Sequence, residues 1–212
     1  MTEDLIGRLA DKLRPVSRLA VLHRLLVGLA AGGGASALLI AATLGFRPDM
    51  RDAAQESIFW IKLAYTLALG GLALWACERL ARPTGAAMRR LPWMMVPLAT
   101  VMVVAGWQLA HAPALRRMPM IIGHSADICS WWILVFSLPP LGGLIWAVRG
   151  LAPTRLRLTG GVIGLAAGGM GASVYALHCD ESTIPFLAIW YTLGVVAAGI
   201  VGWLSGPRLL RW

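Results

Sequence analysis

LLVGLAAGGGASALLIAATL, residues 25–44, runs for twenty residues without a charge. Crossing ~30 Å of hydrocarbon takes about 20 mostly apolar residues in a helix. This run therefore reads as a membrane span on its own. Five more follow, at residues 58–77, 94–110, 128–148, 158–177 and 186–204. Together six spans consume roughly 120 residues, which leaves only short tails and loops of a 212-residue chain. Charged residues are 14% of the chain and apolar ones 58%, with a mean hydropathy of +0.70. A soluble domain carries about 25% charged residues, and this chain has too little polar surface to coat a water-facing exterior. The predicted fold is all-α, an integral membrane bundle of six transmembrane helices.

The basic residues set the orientation. Fourteen of the 19 lysines and arginines fall into the N-terminal tail, two alternate loops and the C-terminus. They run from Arg8, Lys12, Arg14, Arg18 and Arg24 through Arg79, Arg82, Arg89 and Arg90 to Arg149, Arg155, Arg157, Arg208 and Arg211. The opposite side holds Arg47, Arg51, Arg116 and Arg117, with Lys62 just inside a span and expected to snorkel outward. The positive-inside rule then predicts an N-in, C-in protein in a cytoplasmic membrane. The same rule accounts for the net charge of +9. No basic helix with interleaved aromatics is present and no segment has room for a DNA-reading domain, so direct nucleic-acid binding is excluded as the reading of that charge.

Small residues recur at helical spacing. Gly28 and Gly32 form one pair, Gly160, Gly164 and Gly168 form two in series, and Gly202 and Gly206 another. Such ridges let helix backbones approach closely in lipid. Pro139 and Pro140 fall mid-way along the fourth span, where they delete backbone donors and predict a kink.

Residues 1–24 differ from the rest and form a separate segment ahead of the six-span domain at 25–212. Thr2 is a suitable N-cap, with Glu3 and Asp4 in the first turn. Leu5, Leu9 and Leu13 recur every four residues beside Ile6, and Pro15 ends the pattern near Arg14. An amphipathic helix of this kind suits either the headgroup layer or the groove of a cytoplasmic partner.

Chemistry-bearing residues gather on the predicted outer side. Cys129 opens the fourth span and Cys179 closes the fifth, with His124 and Asp127 near the first and His178, Asp180 and Glu181 around the second. If the bundle brings those ends together, a disulfide is geometrically allowed, in a compartment that is oxidising. Small apolar filling is the plainer role for such cysteines. A third reading is a soft metal set of Cys129, Cys179, His124 and His178, although no local ligand spacing supports it. Cys77 lies at the opposite, reducing side. The four histidines do not suggest haem, no cofactor is called for, and there is no CxxC of a thiol oxidase. An enzyme or transporter is not indicated, since ion pathways are marked by charged residues deep within spans.

Residues 168–212 read GGMGASVYALHCDESTIPFLAIWYTLGVVAAGIVGWLSGPRLLRW. Within them S-V-Y-A-L-H-C, then W-Y-T-L-G, then G-P-R-L-L-R-W at the end of the chain resemble the NrsF-like family of bacterial anti-sigma factors. The opening T-E-D-L-I…L…L-R-P-V is similar as well. That resemblance implies a membrane inhibitor of an extracytoplasmic-function sigma factor, released on oxidative or heavy-metal stress. It implies that Cys129 and Cys179 match the family's paired, redox-sensing cysteines, with His124, His178, Asp180 and Glu181 as their surroundings. It implies that Asp4, Leu5, Leu9, Leu13, Arg14 and Pro15 lie on the sigma-binding segment, since so little chain precedes the first span.

Overall fold

A computed structural model describes residues 19–82, 90–151 and 153–211. The sigma-binding positions Asp4, Leu5, Leu9, Leu13, Arg14 and Pro15 lie outside the described residues. Helix α1 spans Ala20–Thr43 and α2 is one turn, Met50–Ala53. Helix α3 spans Ser57–Leu80, and a 3-10 turn at Leu91–Met94 leads into α4, Met95–His111. Then come α5, Ala114–Ile122, α6, Ala126–Arg149, and α7, Leu156–Tyr175. The final helix, α8, covers Ile184–Leu209 and contains a π turn at Leu187–Tyr191. Six helical stretches are long and apolar enough to cross a membrane. They coincide with the six expected runs. The turn α2 and helix α5 were not expected.

Helix α7 is the axis of the bundle. Its most apolar window is 78% buried, against 17% for α4 at the periphery. It packs against α8 most extensively, then α6, α3 and α1. Its sequence explains why. A Cβ placed on Gly160 or Gly164 would run into the backbone of Gly202 or of Ala198 and Gly199 on α8. One on Gly169 would meet Gly70 of α3 at 2.6 Å, and one on Gly171 would meet Ser137 and Phe136 of α6. Lipid offers no hydrophobic drive for helices to associate, so close backbone approach and the dispersion it brings supply much of the stabilisation. Hydroxyls add to it: Thr66 of α3 shares a 2.8 Å hydrogen bond with Ser173 of α7, and Tyr65 shares one of 2.6 Å with Thr192 of α8.

Helix α1 lies along α6, with Gly28 against Gly143 and Gly32 against Pro139 and Pro140. Helix α6 continues through both prolines. A proline at 140 cannot donate to the Phe136 carbonyl one turn back. That carbonyl accepts instead from Ser36 Oγ of α1, at 2.6 Å and buried. The missing donor in α6 is thus replaced by a bond that holds α1 to it.

Adding side-chain bulk at the α7–α8 crossing should be costly. Gly164→Val is expected to destabilise the purified protein by ~1–3 kcal/mol. Gly142→Ala, where a Cβ meets nothing within 4 Å, should leave thermal unfolding in detergent unchanged or slightly raised.

Candidate functional site

One end of α7 carries the chemistry. The helix stops at Tyr175, and the chain turns through Ala176, Leu177 and His178 into an extended stretch from Cys179 to Thr183. Cys129 sits in the first turns of α6. Both thiols are free and buried, 0% and 3% exposed, and their side chains are in contact with each other. The sequence separates these residues by fifty positions, and the packing of α6 on α7 brings them together.

The surrounding groups are aromatic and basic. Tyr175 contacts Cys129 through its hydroxyl, and Tyr191, at the end of the π turn, faces Cys179. The two rings lie 6.0 Å apart and tilted at 49°. Tyr191 is fully buried, and its hydroxyl has no hydrogen bond of good geometry among the described residues. π turns shift the register of the helix that follows and recur at functional sites. Here Ser130 Oγ of α6 donates to the Trp190 carbonyl at 2.8 Å, which ties the π turn to α6.

Lys62 departs from expectation. It does not snorkel outward: it is 2% exposed, and its Nζ donates to the Cys179 carbonyl at 3.1 Å, 6.0 Å from the centre of the Tyr191 ring. The reason is helix phase. Lys62, Thr66 and Gly70 fall on one stripe of α3 that faces α7, whereas Trp60, Ile61 and Leu67 are exposed. A polar and small-residue stripe in a span marks its bundle-facing side, and that was the signal available in the sequence. The two tyrosines were also visible, inside S-V-Y-A-L-H-C and W-Y-T-L-G.

Glu181 ties the Cys179 stretch to α6. It is 4% exposed, and its Oε1 accepts from the His124 N–H at 2.6 Å and from the Ser125 N–H and hydroxyl at 3.1 Å each. A carboxylate at the N-terminus of α6 satisfies orphan donors and complements the helix dipole. Gly123, at φ +55°, permits the approach, because a Cβ there would collide with the Glu181 carboxylate. Thr183 Oγ1 and Trp190 Nε1 each donate at 2.8 Å to the last carbonyls of α5, those of Met120 and Ile121.

The other expected residues lie further out. His178 bonds through Nδ1 to the Gly45 carbonyl at 2.9 Å, and since a carbonyl only accepts, that nitrogen carries the proton. His124 is 75% exposed and stands 3.8 Å from both Asp180 and Glu181. The soft set of Cys129, Cys179, His124 and His178 is not assembled, and among the described residues no three His, Cys, Asp or Glu side chains could hold a metal ion.

The Cys179 thiol is pulled below the ordinary thiol value. The hydrogen bond from Cys129 is the largest cause, the Lys62 ammonium, Tyr191 and the Glu181 N–H assist, and burial opposes them. A thiolate beside a second thiol is an oxidisable pair.

Fold and site together define an all-helical protein with six helices long and apolar enough to span a membrane and a buried dithiol at one end of the bundle. By sequence the chain belongs to the NrsF family, described as negative regulator of sigma F, whose profile matches residues 9–212. It is 40% identical over 212 residues to the anti-sigma-F factor NrsF of Caulobacter vibrioides, covering 100% of this chain and 99% of that one. It is 34% identical, with the same coverage, to the probable anti-sigma-F factor NrsF of Azospira oryzae. No solved structure matches the chain.

Because Cys179 is depressed, oxidation should track its thiolate. In a Cys77→Ser background, the rate of thiol loss to hydrogen peroxide should rise and level off at a lower pH than the ordinary thiol value of about 8.5 would give. Lys62→Met should move that rise to higher pH. Counting thiols after an acid quench and denaturation measures it.

Proposed function

We propose that this protein is an anti-sigma factor of the bacterial cytoplasmic membrane, N-in and C-in, that holds an extracytoplasmic-function sigma factor through residues 1–24. Oxidation of Cys129 and Cys179 on the periplasmic side releases it. The name of the 40%-identical Caulobacter relative supports the anti-sigma role. The buried pair of free thiols in mutual contact is the observation that carries the sensing role. The surplus of cations on one side supports the orientation.

The chemistry is a two-electron oxidation. With a peroxide, the Cys179 thiolate attacks one oxygen, the O–O bond breaks, and a sulfenic acid forms as hydroxide leaves. The Cys129 sulfur then attacks that sulfenic sulfur, forming the S–S bond and expelling water. The Cys129 proton leaves with the products.

Two connections carry the change inward. Cys129 is part of α6, and α6 grips α1 through Gly143, Pro140 and the Ser36–Phe136 bond. The Cys179 stretch also touches the outer end of α1, through the His178–Gly45 bond and the Arg47 N–H to Leu177 carbonyl bond of 3.2 Å. Helix α1 runs directly into the N-terminal segment, where Leu5, Leu9 and Leu13 serve as anchors. A hundredfold fall in affinity needs only about 2.7 kcal/mol, within what a displaced helix face can supply.

Affinity purification from membranes, with and without a thiol oxidant, tests this. A sigma factor should co-purify from reduced membranes and fall at least tenfold after oxidation, and Cys129→Ser or Cys179→Ser should retain it. Removing residues 1–24 should abolish capture. Normal release by the double serine variant would refute the sensing role, and capture by the truncated chain would refute the binding role.

A further inference from the structure

At the other end of α7, three arginines line a cavity of about 370 Å³ with Trp203, Leu204 and Pro207. Arg157 lies in the first turn of α7, and Arg208 and Arg211 come from the end of α8 and just beyond. No acidic side chain lines the cavity, and among the described residues none of the three arginines forms a salt bridge. Arg157 is held over the Trp203 ring, 5.1 Å from its centre. The first N–H groups of α7 point toward the same end, and a helix N-terminus favours an anion.

Trp203 also lines a second cavity, an apolar groove of about 360 Å³ between α7 and α8. Leu158, Gly161, Leu165, Val196, Gly199 and Ile200 form it. Gly161 and Gly199 leave it open because they have no side chains. Its rim is exposed apolar surface, with Val196, Ile200, Trp203 and Leu204 all outward-facing. A basic cup capping an apolar groove at the end of two spans has the two-part chemistry of a phospholipid.

We infer that this surface is a binding site for one anionic diacyl phospholipid, its phosphate among Arg157, Arg208 and Arg211 and an acyl chain along the α7–α8 groove. Arginine suits phosphate because its planar fork donates two parallel hydrogen bonds. Basic pockets at the ends of spans take anionic headgroups. An acidic protein surface would match the cup but leave the groove unexplained. The inference requires the six helices to lie in a bilayer. It requires neither thiol chemistry nor a sigma factor, so each can fail alone.

Native mass spectrometry of the full chain in detergent tests it, with titration by four probes. These are a long-chain phosphatidylglycerol, a phosphatidylcholine of the same chains, a dihexanoyl phosphatidylglycerol and inorganic phosphate. One long-chain anionic lipid should be retained, about tenfold or more in preference to the zwitterionic one, and the short-chain lipid and phosphate should compete poorly. R157Q/R208Q/R211Q should lose the preference, and R79Q/R149Q, with arginines outside the cup, should keep it. Equal retention of the two headgroups overturns the cup, and equal competition by the short-chain lipid or phosphate overturns the groove. A triple variant that keeps its lipid preference but loses sigma-factor capture makes the surface a protein-docking site and overturns the inference. The wild-type competitions decide the matter even if the triple variant does not fold.

Discussion

The contact between α7 and α8 governs the molecule. Along it, glycines on both helices let backbone meet backbone, and any side chain at Gly160, Gly164 or Gly202 would force the two apart. In lipid such proximity is the main attraction available to helices. Because α7 also offers Gly169 to α3 and Gly171 to α6, three neighbours crowd around one axis. Its C-terminal end emerges among them. Tyr175 and Cys179 are therefore delivered to a point where α3 contributes Lys62, α6 contributes Cys129 and α8 contributes Tyr191. The thiol contact is a consequence of the glycine ridge, which begins several helical turns away.

Burying a lysine and two thiols in such a place is costly unless each polar group has a partner. Lys62 has the Cys179 carbonyl and the Tyr191 ring face. Glu181 has three donors at the start of α6. The Tyr191 hydroxyl is the exception, and an unpaired buried donor costs ~1–3 kcal/mol. A thiolate at Cys179 is an acceptor within its reach, while burial of the sulfur opposes that ionisation. The neighbouring thiol of Cys129 is already in contact with it.

Much of the architecture was legible in the amino-acid order, because apolar runs of span length are one-dimensional signals. The glycine spacings likewise pointed to the crossings that form. Lys62 was misread for a physical reason: nearness to a span end suggests snorkelling, but helix phase, not depth, decides which way a side chain points. Helix α5 was hidden by its length, by Pro113 at its start and by Pro119 inside it. The π turn before Thr192 had no composition signature at all, yet it positions Tyr191. The metal reading drew on residue types alone, and the geometry commits His178 to Gly45 and leaves His124 in the open. Glu181 was noticed as a neighbour of Cys179, but its bonds to His124 and Ser125 depend on two helix ends meeting.

Non-reducing peptide mapping by mass spectrometry, on membranes treated with a mild thiol oxidant, tests the central claim that these two sulfurs touch. Recovery of one cross-linked peptide pair joining Cys129 to Cys179 within a single chain is the predicted result. Recovery of both thiols unmodified, or a bridge from either of them to Cys77 or to a second chain in place of that pair, would contradict it.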